Sequence, residues 1–281
     1  MKLTTMTEAT EAVAEREMPT PEFRVLGVRV HAVQIPDIVP IVERWIHRRG
    51  AAQYIAVTGM HGVSESQQDP RFRDILNAAG LVIPDGMPLV WVGRLEGHHR
   101  MKQRTPGSEV LEYFCRETGA KYRHFFYGGA PGVADDLARV EHERYGIQIA
   151  GTYCPPFRPL TADEEREVEA VIREAAPDVL WVGLSTPKQE KWMYEHRDRI
   201  QVPVMFGVGA AFDMNTGRLK RAPLWMQRAG LEWFFRLLIE PRRLWRRYII
   251  NGSKFAWAVC LEHVVPHLLR KPMAASSQLP Q

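Results

Sequence analysis

The sequence predicts an α/β fold: a parallel, Rossmann-like sheet flanked by helices, with a C-terminal basic amphipathic helical appendage. Two observations predict the sheet. Short, mostly apolar runs recur at 54–58, 81–83, 122–127, 179–184 and 202–206, and segments with helical spacing of apolar residues separate them. Strands covered on both faces read as continuous apolar runs, and alternating helices supply the cover. A third observation, the Trp- and Arg-rich segment after residue 222, predicts the appendage. With 281 residues, 45% of them hydrophobic, the chain has enough apolar surface for a full core.

Taken in order, residues 23–33 alternate as a strand or hairpin, and 36–49 form a helix with Ile38, Val39, Val42, Trp45 and Ile46 on one face. The strand at 54–58 precedes a helix over 63–78. Leu81, Val82 and Ile83 make the next strand, followed by a helix over 87–97. After Gly107 a helix to 118 leads into strand 122–127, a Gly128-Gly129 turn and a helix over 133–145. Strand 147–150, a helix over 163–176 capped by Thr161, strand 179–184, a helix over 187–197 and strand 202–206 complete the series. The expected organisation is a flexible leader over 1–22, a body over 23–222 and a helical basic tail over 223–281 that faces a membrane. The leader is polar and has no apolar h-region, so it does not read as a signal peptide.

Net charge is +4, unevenly spread. From Arg218 onward 12 Lys+Arg stand against 3 Asp+Glu, which leaves 25 against 30 for the preceding residues. Such asymmetry marks a surface that meets polyanions. At about 100° per residue, Leu244, Trp245, Tyr248 and Ile249 share one arc, and Arg242, Arg243, Arg246 and Arg247 share the other. That pattern fits a helix lying on an anionic membrane surface, and equally an ordinary helix packing its apolar face on the core. No recognisable nucleic-acid module accompanies the basic tail, so no nucleic-acid partner is expected. No run approaches the roughly 20 apolar residues of a membrane span. The best, 255–265, is broken by Glu262 and His263. Cys115, Cys154 and Cys260 are odd in number and widely spaced, with no Cys-x-x-Cys, which predicts reduced thiols and a cytoplasmic protein. Trp- and Phe-rich tails also bury themselves in partner subunits, so a homo-oligomer belongs among the expectations.

The candidate chemistry centres on Ile83-Pro84-Asp85-Gly86-Met87-Pro88, which places one carboxylate in a strand-to-helix turn, where open α/β sheets collect ligands. Capping the helix that starts near Pro88 is the other reading of Asp85. Thr58 ends the preceding strand and lies near Asp85 if the two strands are neighbours. Gly128-Gly129-Ala130-Pro131-Gly132 follows a strand and opens a helix, a place where backbone amides hold phosphate. It is not G-x-G-x-x-G, and the next strand ends at Gly151-Thr152-Tyr153 without a ribose-binding acid, which opposes a nicotinamide dehydrogenase. A second glycine turn, with Gly207 and Gly209, offers another wall for a nucleotide. Lys188, Gln189 and Glu190 crowd a cation, an amide and a carboxylate into one helical turn, a density that suits a ligand. Arg104 begins Arg-Thr-Pro-Gly, and its guanidinium fork suits phosphate oxygens. The chain has no Asp-x-Asp for a divalent ion and no histidine cluster with ligand spacing, so neither metal nor cofactor is expected.

Read together, Thr58-Gly59-Met60-His61-Gly62-Val63, the Pro-Asp-Gly turn, Arg104-Thr105-Pro106-Gly107, the two glycine turns, Pro187-Lys188-Gln189-Glu190, Arg221-Ala222-Pro223 and Glu232-Trp233 form an ordered set. It resembles the WecG/TagA/CpsF family of bacterial glycosyltransferases. The resemblance covers about residues 23–248 and implies hexosyl transfer from a UDP-sugar to a polyprenyl-diphosphate-linked acceptor during cell-surface polysaccharide synthesis. It implies Asp85 as the single base of an inverting displacement, and a donor contact for Gln189. N-acetylmannosamine is the first donor sugar it suggests, with glucose or another hexose as the alternative. With no metal expected, the cations facing the leaving diphosphate are Arg104 and the tail residues Arg236, Arg243 and Arg247, brought over the site as the tail settles on a membrane. Many relatives carry an asparagine after the threonine, where this chain has Gly59. That departure bears on sugar or acceptor specificity.

Overall fold

The computed structural model describes residues 20–266; residues 1–19 of the expected leader and the end of the tail fall outside them, and the leader's last residue, Glu22, already belongs to the first strand. The chain opens with a hairpin of β1 (Glu22–Val25) and β2 (Val28–His31), antiparallel across a Leu26-Gly27 turn. Both turn residues have positive φ, 49° and 80°, as a two-residue hairpin turn requires, and glycine takes the second position at no steric cost. Phe23, Val25, Val28 and Val30 point to the core.

Helix α1 (Ile35–Arg48) leads to β3 (Gln53–Thr58), followed by α2 (Met60–Gln68), α3 (Pro70–Asn77), β4 (Leu81–Pro84), α4 (Met87–Leu95) and α5 (Gly107–Thr118). Then come β5 (Arg123–Gly128), α6 (Val133–Tyr145), β6 (Gln148–Tyr153), α7 (Ala162–Ala175), β7 (Val179–Gly183), α8 (Lys188–Ile200) and β8 (Val204–Gly207). The single helix expected over 63–78 is therefore two. Asp69 breaks it: its extended backbone ends α2, its side chain accepts from the Phe72 amide, and Pro70 starts α3. Thr161 caps α7 as expected, in a reciprocal box with Glu164.

The six strands β3 to β8 form one parallel sheet in the order β4-β3-β8-β7-β5-β6. Alternate side chains of each strand enter different cores. Ile55, Trp181 and Phe206 lie on the face covered by α1, α5 and α6, whereas Tyr54, Leu180 and Met205 lie on the face covered by α3, α7 and α8. After β3 the chain turns into α2 on this second face. After β8 it turns into α9 (Ala211–Asn215) on the first. Loops that part to opposite faces leave a crevice at the strand ends, where such sheets bind ligands.

The C-terminal segment continues as α10 (Leu224–Arg228), α11 (Glu232–Ile239), α12 (Pro241–Trp245) and α13 (Asn251–Val259). Wider π turns, Arg246–Ile250 and Cys260–Val264, flank α13. These turns alter the facing that a 100° wheel assigns. Leu244 is buried at 1%, but Trp245 and Ile249, expected on the same packed arc, are 44% and 54% exposed. Arg247, expected on the opposite arc, lines the cavity below with Tyr248. The helices are present; their division into a basic and an apolar side is not shown, and the π turns advance the chain by more residues per turn than the wheel assumes. Among the described residues, no helix is long and apolar enough to cross a membrane.

Candidate active site

A cavity of about 650 Å3 opens in the crevice, floored by the ends of β3, β4 and β8 and roofed by α11 and α13. The parallel register pairs Thr58 with Pro84, and the Asp85 amide donates to the Thr58 carbonyl at 2.9 Å, so the two residues are neighbours; Asp85 lines the cavity, whereas Thr58 is buried just behind its lining. Asp85 caps nothing: the N-cap of α4 is Gly86, and no side chain caps that helix. Its carboxylate is left for the cavity. Burial pushes the Asp85 carboxyl above the ordinary range and Glu232 adds to the effect, while Arg104, Arg247 and Arg236 act against it.

Arg104 reaches this acid because Thr105 fastens its loop to β4. The Thr105 amide and hydroxyl both donate to the Pro84 carbonyl, at 2.7 and 3.0 Å. Gly107 then packs on the backbone of Val208, where a Cβ would come within 2.9 Å of a carbonyl oxygen. The guanidinium of Arg104 pairs with Glu232 of α11 and lies 3.8 Å from Glu109, which in turn binds Arg221 at 2.6 Å. Arg236 and Arg247 enter from the roof. Three cations thus surround one acid with a raised pKa. Arg243 lies on α12, and its side chain is outside the described residues.

Between β3 and β8 the floor is lined by polar groups with unmet capacity. Gln189 is buried at 2%; its amide nitrogen donates to Glu190 at 3.0 Å, and its oxygen has no partner. Thr186 donates to the same Glu190 oxygen at 2.8 Å. Glu190 is fully buried, which raises its pKa, and both hydrogen bonds oppose that rise. An amide whose nitrogen faces a carboxylate must present its oxygen the other way. Gly207 makes room for it, since a Cβ there would lie 3.1 Å from the amide nitrogen, and Gly209 adjoins the oxygen. The Thr58 hydroxyl is buried without a partner as well, and only glycine fits at position 62, where a Cβ would strike it. Buried groups left this way suit a bound ligand.

Not every predicted residue joins the cavity. Lys188 is exposed and does not line it; Thr58, Glu190 and Gly207 are also absent from the lining, with Glu190 and Gly207 acting through Gln189. Gly128 and Gly129 lie outside it too. Their glycines answer to packing: a Cβ on Gly128 would fall 2.6 Å from the Gly183 carbonyl oxygen, and one on Gly129 would fall 2.8 Å from Val133. Thr105, Thr186, Glu232 and His61 were not singled out by sequence reasoning. Thr105, Glu232 and His61 sit inside motifs already quoted, and Thr186 immediately precedes the Pro187-Lys188-Gln189-Glu190 motif. His61 lines the cavity, and burial followed by the charge of Arg247 lowers its pKa to about 4, so it is neutral there.

A family model described as "Glycosyl transferase WecG/TagA/CpsF family" matches residues 23–267. The chain is 35% identical over 201 residues to an N-acetylglucosaminyldiphosphoundecaprenol N-acetyl-beta-D-mannosaminyltransferase of Bacillus spizizenii, covering 71% of this chain and 75% of the relative. The enzyme of the same name from Bacillus subtilis is 33% identical over 197 residues, 69% and 74% of the two chains. That from Staphylococcus aureus strain NCTC 8325 is 24% identical over 237 residues, 83% and 90% of the two chains. With a match spanning the whole sheet, the cavity and the C-terminal helices, the chain belongs to the WecG/TagA/CpsF family and is a glycosyltransferase.

Proposed function

We propose that the protein transfers an N-acetylmannosamine-type hexosyl group from a UDP-sugar to a sugar on a polyprenyl diphosphate, with inversion and without a metal, in cell-envelope polysaccharide synthesis. The observation that carries this reading is Asp85, with its raised pKa, facing a cavity it shares with Arg104, Arg236 and Arg247. An inverting displacement needs one base to take the proton of the acceptor hydroxyl as that oxygen attacks the anomeric carbon. A carboxylate made more basic by burial suits the task. The bond to the nucleotide breaks in the same step, and negative charge grows on the departing diphosphate. Guanidinium groups already in place stabilise that charge without reorganising. Gln189, with an unpartnered oxygen in the lining, orients the donor, and Thr58, whose buried hydroxyl is also unpartnered, supports it from behind. The substrate names printed for the relatives support the choice of sugar and carrier; glucose or another hexose would travel by the same mechanism. Gly59 leaves the space beside Asp85 open, since a Cβ there would stand 3.8 Å from the Asp85 Cβ, and it is the position that bears on acceptor choice.

The test is a panel of UDP-sugars with a lipid-diphosphate-linked N-acetylglucosamine acceptor, followed by UDP release and the anomeric configuration of the product. Asp85→Asn is expected to keep UDP binding and lose about a thousandfold in turnover. Near-normal turnover by that variant would overturn the mechanism.

A further inference from the structure

The cavity has two chemically different ends. One carries Asp85 and the arginines. The other runs between α4 and α13 and is walled by Trp91, Val92, Leu95, Phe255, Ala256 and Val259, with no charge among them. A nucleotide sugar is polar along its length and has no hydrocarbon to lay against such a wall. Of the two substrates proposed above, only the lipid-linked acceptor carries a hydrocarbon chain. Trp91, at 59% exposure, is a large apolar surface left for it to cover.

We propose that this apolar arm binds the first isoprene units of the acceptor's hydrocarbon. The inference rests on the acceptor class assigned above and adds the place where the carrier lies and how the protein grips it. Both walls are anchored. Helix α4 is fixed to the core through Leu89 and Val90. The segment after α13 is tied down at two points: Glu262 accepts from the Leu26 amide at 2.9 Å, and His263 Nδ1 meets Glu96 Oε1 at 2.7 Å, just past the end of α4. An arm held open at both sides binds a chain without first paying to form itself. Beyond it, Trp257 and Leu261 extend the apolar surface outward, in line with a carrier whose remaining length stays in a bilayer.

Calorimetric titration with dimethylallyl, geranyl and farnesyl diphosphate, each below micelle-forming concentration, tests this without relying on turnover. Affinity is expected to rise at least about tenfold with each isoprene unit that enters the arm. Ala256→Trp, which fills the arm, is expected to bring farnesyl diphosphate down to the dimethylallyl affinity with UDP binding unchanged. Leu95→Gln, a gentler change, should lower the chain-length dependence in the same direction. Affinity independent of chain length would overturn the proposal. So would a chain-length effect that survives both variants, because it would place the hydrocarbon on the outer surface. Intact chain-length dependence in a protein that transfers no sugar would support the arm and count against the reaction alone.

Discussion

Two glycine turns leave the same edge of the sheet, one after β5 at Gly128-Gly129 and one after β8 at Gly207-Gly209, and only the second serves the cavity. At the first, added Cβ atoms would strike Gly183 and Val133, so glycine is there for strand and helix packing. At the second, a Cβ would meet Met193 at 2.7 Å and the amide of Gln189, a group that lines the cavity. Identical punctuation in the sequence thus answers to different neighbours. What separates them is topology: loops after β3 and β8 part to opposite faces, whereas the turn after β5 is closed by its own helix.

The comparison breaks if the polar side of the cavity proves dispensable. Replacing Arg104 with Ala is expected to lower kcat about a hundredfold, because the growing charge on the diphosphate loses a fixed cation. Steady-state kinetics with saturating donor would read it. Next in size are the paired glycines. Gly207→Ala should raise the donor KM about tenfold by displacing Gln189. Gly129→Ala, at φ 78°, should cost about 1–2 kcal/mol in stability and leave KM unchanged. Thermal melts beside kinetics distinguish them, and equal KM effects would erase the contrast. The smallest effect concerns Glu190→Gln, which replaces the charged acceptor that orients the Gln189 amide with a weaker neutral one. Donor KM is expected to rise about fivefold with kcat held.

Much of this architecture was legible in the chain. Strands buried on both faces announce themselves as apolar runs, and Asp85 stands out between prolines and a glycine at the end of one. The proximity of Thr58 followed once β3 and β4 paired. What stayed hidden depends on long-range placement. Nothing local says that Gly128-Gly129 faces a helix while Gly207 faces an amide. Nor does sequence spacing disclose that Glu232, far along the chain, pairs with Arg104. The facing of the tail's side chains stayed hidden for a different reason. A 100° wheel assumes α geometry throughout, and the π turn at Arg246–Ile250 carries Arg247 inward and leaves Trp245 and Ile249 outside.

The central claim is that one carboxyl, made more basic by its surroundings, takes the acceptor's proton. Only the ionised form of Asp85 can do so. Because its pKa in the folded protein is raised, kcat/KM should climb with pH along a limb displaced above the ordinary carboxylate range, falling about tenfold per pH unit below it. The direct measurement is that pH profile for the native protein and for Asp85→Asn. The account predicts a displaced limb in the native protein that vanishes in the variant together with about a thousandfold of rate. A limb that persists unchanged in Asp85→Asn, at comparable turnover, would contradict it.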